Sequence, residues 1–393
     1  MNILWLCSWY PNKIKPFDGD FIQRHSYAVS ILHQVQVIHV VKDDKGKMAQ
    51  RVTKETTTDG NLTETIIYYQ QRNIGIHFLD KIRSASTYRR LYKKAISSYL
   101  EKCKDVKLVH VHVAMKAGTM ALWLKKKYGL PYILSEHWTG YLEQARPNFE
   151  ELNWLIKSWI KKIFKQAAKV TSVSESLAHE IRKRFDVTSI SIIPNVVDTR
   201  IFYPLSKPEN NKVEFIHVST MTYQKNIEQI LSACSIVKKI NPAFVLNVFV
   251  PSGAKLHDMI LTYGLEGFVQ VNEEVPQSVL ASRMQKADAL ILYSRYETFG
   301  CVVIEANACG LPAILSNLAV FKEYSVESET ALFVPLDNEQ LLADTMIHFM
   351  NKEFTFNAEE ISRRTHGLFN YNDVAKKFDT LYKEINLPLI SQS

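Results

Sequence analysis

Short apolar runs alternate with amphipathic stretches twice along this chain. The alternation breaks once, at the polar, proline-bearing segment DTRIFYPLSKPENN from Asp198 to Asn211. A short apolar run has the length of a strand buried on both faces, and a helix between two such runs brings the next strand in parallel. The first half reads as strands at Ile3 to Ser8, Val35 to Val41, Thr63 to Tyr69, Leu108 to Val113, Tyr132 to Ser135 and Val170 to Val173. Helices are expected at Phe21 to Leu32, near Tyr88 to Lys102 and at Trp154 to Lys169, with Lys42 to Gly60 as a polar loop. The second half restarts at Glu214 to Val218 and continues through Leu246 to Val250, Phe268 to Val271, Asp288 to Tyr293 and Ala313 to Leu315. It ends on a helix near Asn372 to Ile385. Two such α/β units in succession predict two Rossmann-like domains facing a central cleft, residues 1–203 and 204–369.

The stretch SRYETFGCVVIEANACGLPAI carries the chemistry. Thr298 to Gly300 is a tight turn after the strand, and Cys301 to Ala308 fits a short helix stopped by Gly310 and Pro312. Glu297 then lies at the carboxyl end of a strand and Glu305 on the first turns of the next helix. In doubly wound sheets this crevice is where ligands bind, and a helix start offers free N–H groups and partial positive charge to a phosphate.

This stretch resembles the signature of the retaining nucleotide-sugar glycosyltransferases of family 4, which have the GT-B fold. Their pattern is E-x7-E followed by A-x-G-x-P. Here it reads Glu297, Phe299-Gly300, Glu305-Ala306, then Ala308-Cys309-Gly310-Leu311-Pro312. The resemblance runs over nearly the whole chain. Gly19 in PFDGDFIQRH matches a glycine loop after the first strand, with a single glycine between Asp18 and Asp20 where other members often have two in a row. His137 in LSEHWTGY matches a histidine that the resemblance puts beside the donor sugar. VSESLAHEI and IIPNVVDTRIFYP match V-S-x-x-L and P-N-x-V-D-x-x-x-F-x-P, where Asn195 and Asp198 shape the loop entering the linker. FIHVSTMTYQKNIEQIL resembles G-R-L…K-G/N, so Lys225 matches the lysine on the donor diphosphate. The arginine of that segment is absent, its place held by Thr220 or Met221, and Arg295 is a candidate replacement. VPSG from Val250 to Gly253 and Val275-Pro276 match loops near the nucleotide and its base. The last segment, 370–393, resembles the terminal helix that crosses back onto the first domain.

The resemblance implies a UDP- or GDP-linked donor and no metal. Lys225 and the amides from Phe299 through Gly300 and Cys301 to Val302 would stabilise the departing diphosphate. Glu305 suits the ribose hydroxyls, and Glu297 suits sugar hydroxyls and the developing positive charge. No separate pair of glycosidase carboxylates is evident. Glu136, beside His137, is the first-domain carboxylate to weigh as a base for in-line attack. Asp18-Gly19-Asp20 spells the D-x-D metal site of another glycosyltransferase fold, but it follows the first strand of a chain matching the metal-independent one. His110 and His112 share a strand face and could join His137 around a metal. No cysteine or carboxylate completes a known set, which favours hydrogen-bonded histidines.

Charge narrows the partners. Of the net +8, residues 1–200 hold 32 Lys+Arg and 18 Asp+Glu, and residues 201–393 hold 16 and 22. A basic first half suits an anionic membrane surface, a phosphorylated acceptor or nucleic acid. The expected helix at Trp154 to Lys169 aligns Lys157, Lys161, Lys165 and Lys169, with Leu155, Trp159, Ile163 and Ala167 on another face. No recognised nucleic-acid module appears. Five scattered cysteines favour a reducing compartment, and MNILWLCSWYP lacks the features of a signal peptide. The expectation is a cytoplasmic hexosyltransferase at the inner face of the membrane. It would add a sugar to a glycan or lipid-linked acceptor in cell-surface polysaccharide synthesis. The alternatives are a nucleotide-sugar 2-epimerase of the same fold and a catalytically silent nucleotide-sugar-binding subunit.

Overall fold

The apolar runs pair into two sheets, one in each half of the chain. The computed structural model describes residues 1–71, 74–207, 210–251 and 256–386. The first sheet holds β1 (Asn2–Cys7), β2 (Gln34–Lys42), β3 (Val52–Asp59), β4 (Leu62–Tyr69), β5 (Val106–His112), β6 (Tyr132–Glu136), β7 (Lys169–Ser172) and β8 (Ile190–Ile192). Its order is β3-β4-β2-β1-β5-β6-β7-β8. The second holds β9 (Val213–Val218), β10 (Phe244–Val250), β11 (Val269–Glu273), β12 (Ala289–Leu292), β13 (Ala313–Ser316) and β14 (Ala331–Val334), in the order β11-β10-β9-β12-β13-β14. Every pairing is parallel except β3 with β4. Each sheet reverses its winding direction beside its first strand, β1 or β9. That is where a crevice opens beyond the carboxyl ends of the strands.

The first four helices are α1 (Asp20–Ser30), α2 (His77–Lys102), α3 (Gly118–Tyr128) and α4 (Trp154–Gln166). Three elements differ from the sequence reading. The loop expected at Lys42 to Gly60 contains β3, an edge strand that is mostly exposed. Its sequence VTKETTTD presents no apolar face, but β-branched threonines fit the pleat, and Thr56 and Thr58 face Thr65 and Thr63 across the pair. Helix α2 begins at His77 instead of near Tyr88, and only Tyr92 and Ile96 of it are buried; the apolar residues of its first turns, Phe78, Leu79 and Ile82, stay exposed. Helix α4 stops at Gln166, because Ala168 N–H donates to the Tyr132 carbonyl (2.8 Å) and the chain joins the sheet. Lys169 therefore opens β7 and pairs with Glu384 at 2.9 Å, leaving the row of helical lysines one member short.

The chain leaves the first unit after Val197 and returns after Phe369, and these two crossings touch: Val197 N–H donates to the Phe369 carbonyl at 2.9 Å. The final helix, Tyr371–Asn386, packs on α1 and buries Val374, Phe378 and Tyr382 among Trp5, Ile22 and Leu108 of the first unit. Positions 387–393 of the expected 370–393 segment, and Pro208 and Glu209 of the expected linker, lie outside the described residues. Among the described residues no helix is long and apolar enough to cross a membrane.

Candidate active site in the cleft

Between the two units lies a cleft of ≈500 Å³ lined from both sides. The loop after β12 reaches its floor and is fixed at each residue. Thr298 offers its carbonyl to Ser174 Oγ of the first unit at 2.6 Å. Phe299 offers its carbonyl to Tyr324 OH at 2.5 Å and stacks on that ring. Gly300 has φ +84°, and a Cβ there would sit 2.7 Å from the Phe321 ring, so the turn into the helix Cys301–Ala308 requires glycine.

Both signature glutamates are buried and both hold a cation. Lys225 Nζ donates to Glu297 Oε1 at 2.5 Å, and Ser294 Oγ donates to the same oxygen at 3.0 Å. Glu305 Oε1 accepts from Arg24 Nη1 at 2.7 Å, with the two side chains 7% and 5% exposed. Arg24 stands on α1, so this pair crosses the cleft. Its other terminal nitrogen donates to Asp20 at 3.1 Å, and Gln277 from the second unit donates to Asp20 at 2.9 Å. Burial opposes the Arg24 charge, but Asp20 and Glu305 outweigh it and hold its pKa above the usual arginine value. Burial pushes the Glu305 carboxyl up, and Arg24 opposes that without cancelling it.

Arg24 is the residue that sequence reasoning missed. The Asp20–Arg24 spacing of one helical turn was its only local signal. Arg295, the candidate for the absent cation, does not line the cleft; it donates to the Tyr223 carbonyl at 2.7 Å and stacks over that ring. The other cation that lines the cleft, Arg24, comes from the first unit and is held by Glu305 and Asp20.

The other expected residues separate into two groups. His137, Gly19, Lys225, Glu297, Phe299, Gly300, Cys301 and Glu305 all line the cleft. So do Asp18, Asp20, Thr220, Val275 and Asn195, whose buried Oδ1 has no protein partner. Gly19, at φ +74°, leaves no room for a Cβ, which would lie 2.7 Å from the Trp9 backbone. Asp198 is occupied by Arg200 at 2.8 and 2.6 Å and stays out of the cleft lining. Glu136 is buried and spent on the backbone: it accepts from Ala114 N (2.6 Å), His137 N (3.0 Å) and Trp138 N (3.3 Å), and from Tyr141 OH (3.1 Å). It does not face the cleft. Ser252 and Gly253 of the VPSG loop lie outside the described residues.

Behind His137 the histidines form a buried stack. His112 Nδ1 lies 3.3 Å from His137 Nε2, and Phe21 covers His137 at a centroid distance of 4.9 Å. Burial drives His110, His112 and His137 well below the usual imidazole range and His25 to about 4, so all four are neutral at pH 7. His110 is taken by Tyr382 OH and Ser135 Oγ, each at 2.7 Å. The histidines whose nitrogens converge within 4.8 Å are therefore His25, His112 and His137, not the set with His110 that the strand pattern suggested.

The profile described as "Glycosyl transferases group 1" matches residues 200–365, and "Glycosyltransferase Family 4" matches residues 31–201. The chain is 25% identical over 209 residues to a subunit of phosphatidylinositol N-acetylglucosaminyltransferase from Arabidopsis thaliana, covering 51% of this chain and 45% of that protein. It is 23% identical over 297 residues to N-acetyl-alpha-D-glucosaminyl L-malate synthase of Bacillus anthracis, covering 72% and 76%. The chain thus spans about half the length of the first relative and three quarters of the second. Among solved structures it superposes on sucrose-phosphate synthase from Thermosynechococcus elongatus with a TM-score of 0.79 (18% identity, 98% and 99% of the two chains). On Anabaena Alr3699/HepE in complex with UDP and glucose the TM-score is 0.71 (13% identity, 98% and 100%).

Proposed function

Because the chain belongs to the group 1/family 4 glycosyltransferases and has the GT-B fold, we propose that it moves a hexose from a nucleoside-diphosphate sugar to a glycan or lipid-linked acceptor, with retention at the anomeric carbon. One observation carries this reading: Lys225–Glu297 and Arg24–Glu305 converge at the start of a buried helix, in a cleft that His137 closes from the opposite side.

In this proposal the donor diphosphate takes over the Lys225 ammonium and meets the amides of Gly300 to Val302, which concentrates positive charge on the leaving group. Glu297, released from Lys225, accepts from the sugar hydroxyls and faces the positive charge that develops at the anomeric carbon. Glu305, oriented by Arg24, accepts from the ribose diol. His137, neutral, hydrogen-bonds the sugar from the first unit. An acceptor hydroxyl attacks the face the phosphate is leaving: its oxygen bonds to the anomeric carbon, the carbon–phosphate-oxygen bond breaks, and the hydroxyl proton passes to the departing phosphate. Residues 1–203 and the terminal helix hold the acceptor side, and 204–369 hold the donor. UDP is the nucleotide to try first, since the HepE neighbour binds UDP; GDP is the second. The setting proposed is the cytoplasmic face of a membrane, in cell-surface polysaccharide synthesis.

A donor screen tests this. One UDP-, GDP- or ADP-sugar should raise the melting temperature and be slowly hydrolysed, and the anomeric configuration of its transfer product should match the donor by NMR. Glu305→Gln should weaken donor binding in calorimetry by about 1–3 kcal/mol, the scale of a lost charged hydrogen bond. An epimerised nucleotide sugar formed without acceptor would mark an epimerase. Binding with no turnover at all would mark a silent protein of the same fold.

A further inference from the structure

A second cavity, ≈670 Å³, lies in the first unit beneath α2 and α4 and meets the donor cleft at Trp9 and Asp18, which line both. Its wall has two chemistries. One side is apolar: Met115, Ile156, Trp159, Ile160 and Ile163, with Tyr88 from α2. The other is cationic: Lys15, Lys42, Lys81, Arg89 and Lys116, against the carboxylates of Asp18 and Asp44. Lys42 is paired with Asp44 at 2.7 Å and Lys15 lies 3.8 Å from Asp18, which leaves Lys81, Arg89 and Lys116 with no ion pair to a described carboxylate. An excess of three cations around an apolar floor asks for a ligand that is anionic at one end and greasy at the other.

The apolar wall opens to solvent: Trp159 and Ile156, which line the cavity, are 45% and 40% exposed. The same two helices also carry Trp154, Leu155, Phe78 and Ile82, all exposed. Large exposed apolar side chains in a cavity wall mark a binding surface more often than chance exposure does. A free sugar or a soluble oligosaccharide would use neither the excess charge nor this apolar wall.

We infer that this cavity seats the acceptor as a lipid phosphate, with the lipid chain running out between α2 and α4, the phosphate among Lys81, Arg89 and Lys116, and the sugar it carries reaching the donor cleft past Trp9 and Asp18. This rests on the glycosyltransferase reading above and narrows its acceptor to one class. The apolar residues of α4 then have a use that a plain solvent-facing helix would not give them.

Calorimetry on the full chain with decyl phosphate, decyl maltoside, inorganic phosphate and UDP tests the inference. Decyl phosphate should bind at least about tenfold more tightly than decyl maltoside or inorganic phosphate, since only it satisfies both walls. The double variant Lys81→Gln/Arg89→Gln should lose about tenfold for decyl phosphate and leave UDP binding unchanged, and Trp159→Ala should weaken both decyl compounds. Equal binding of the two decyl compounds, or indifference to the double variant, would overturn the inference. So would failure of decyl phosphate to bind at all. In that last case, UDP binding would show that the donor reading survives, and its absence would show that both fail.

Discussion

Arg24 holds two carboxylates at once from a position 5% exposed, and one of them belongs to the other half of the molecule. Removing one partner of a buried pair leaves the other charged and unpaired. Arg24→Met should therefore destabilise the fold by about 3–5 kcal/mol, read as a lower urea midpoint. A midpoint within error of the unaltered protein would mean that Glu305 does not depend on Arg24. The histidines set a second residue-level expectation. His25, His39 and His217 sit near 4, and His110, His112 and His137 lie well below the ordinary 6.5, in each case first through burial. A lowered folded pKa favours the neutral ring in the fold. The contribution is thus complete above pH 6.5 and lost as pH falls toward 4, at about 1.4 kcal/mol per pH unit for each such group. Glu136 and Glu305, raised by burial, act with the opposite sign and soften the loss once acid protonates them. The urea midpoint should be flat from pH 8 to 7 and fall steeply below 6.5; a midpoint unchanged down to pH 5 would contradict the burial of these rings. The site was legible where it is local. Glu297, Gly300 and Glu305 share one strand–turn–helix, and the order of strand, turn, helix and stop is readable in that one segment. Arg24 reaches Glu305 from 281 residues away, and no periodicity in one segment reports on a partner in another.

At the scale of elements, α4 shows how tertiary contacts redraw a helix. Ala167 and Ala168 are strong helix formers, and local propensity alone extends the helix through them to Lys169. A sheet hydrogen bond to Tyr132 ends it sooner, and β3 is hidden for the converse reason, because a strand exposed on both faces has no apolar alternation to read. The correction changes what α4 is expected to do at a membrane. Lys161 and Lys165 remain exposed on the helix, Lys157 is partly used by Glu150, and Lys169 is committed to Glu384. Sedimentation with anionic vesicles should occur at low salt, weaken at high salt as screening shortens the reach of charge, and fail with neutral vesicles. Lys161→Gln/Lys165→Gln should cost about 1 kcal/mol per lysine, while Lys169→Gln should leave vesicle binding unaltered. A wild-type protein that ignores anionic vesicles at low salt would make the α4 lysines a simple solvated face.

For the whole molecule, two halves each bring one cation to the cleft, Lys225 from the second and Arg24 from the first. In the proposed reading Lys225 and the helix-start amides, not a metal, take the diphosphate, so transfer should survive exhaustive EDTA. Activity lost on chelation and restored by Mg²⁺ or Mn²⁺ would return Asp18 and Asp20, both in the cleft, to consideration as ligands. The hydrogen bond between Val197 and Phe369 has a different consequence. It brings the exit and re-entry of the second unit to one seam, while the terminal helix completes the core that β1 begins. The halves are therefore nested, with the second a guest inserted into a host whose two ends fold together. Exchange at the two chain crossings of that seam swaps the guest without cutting the host's core. On the ribosome, the host must wait for the helix Tyr371–Asn386 before its core can close.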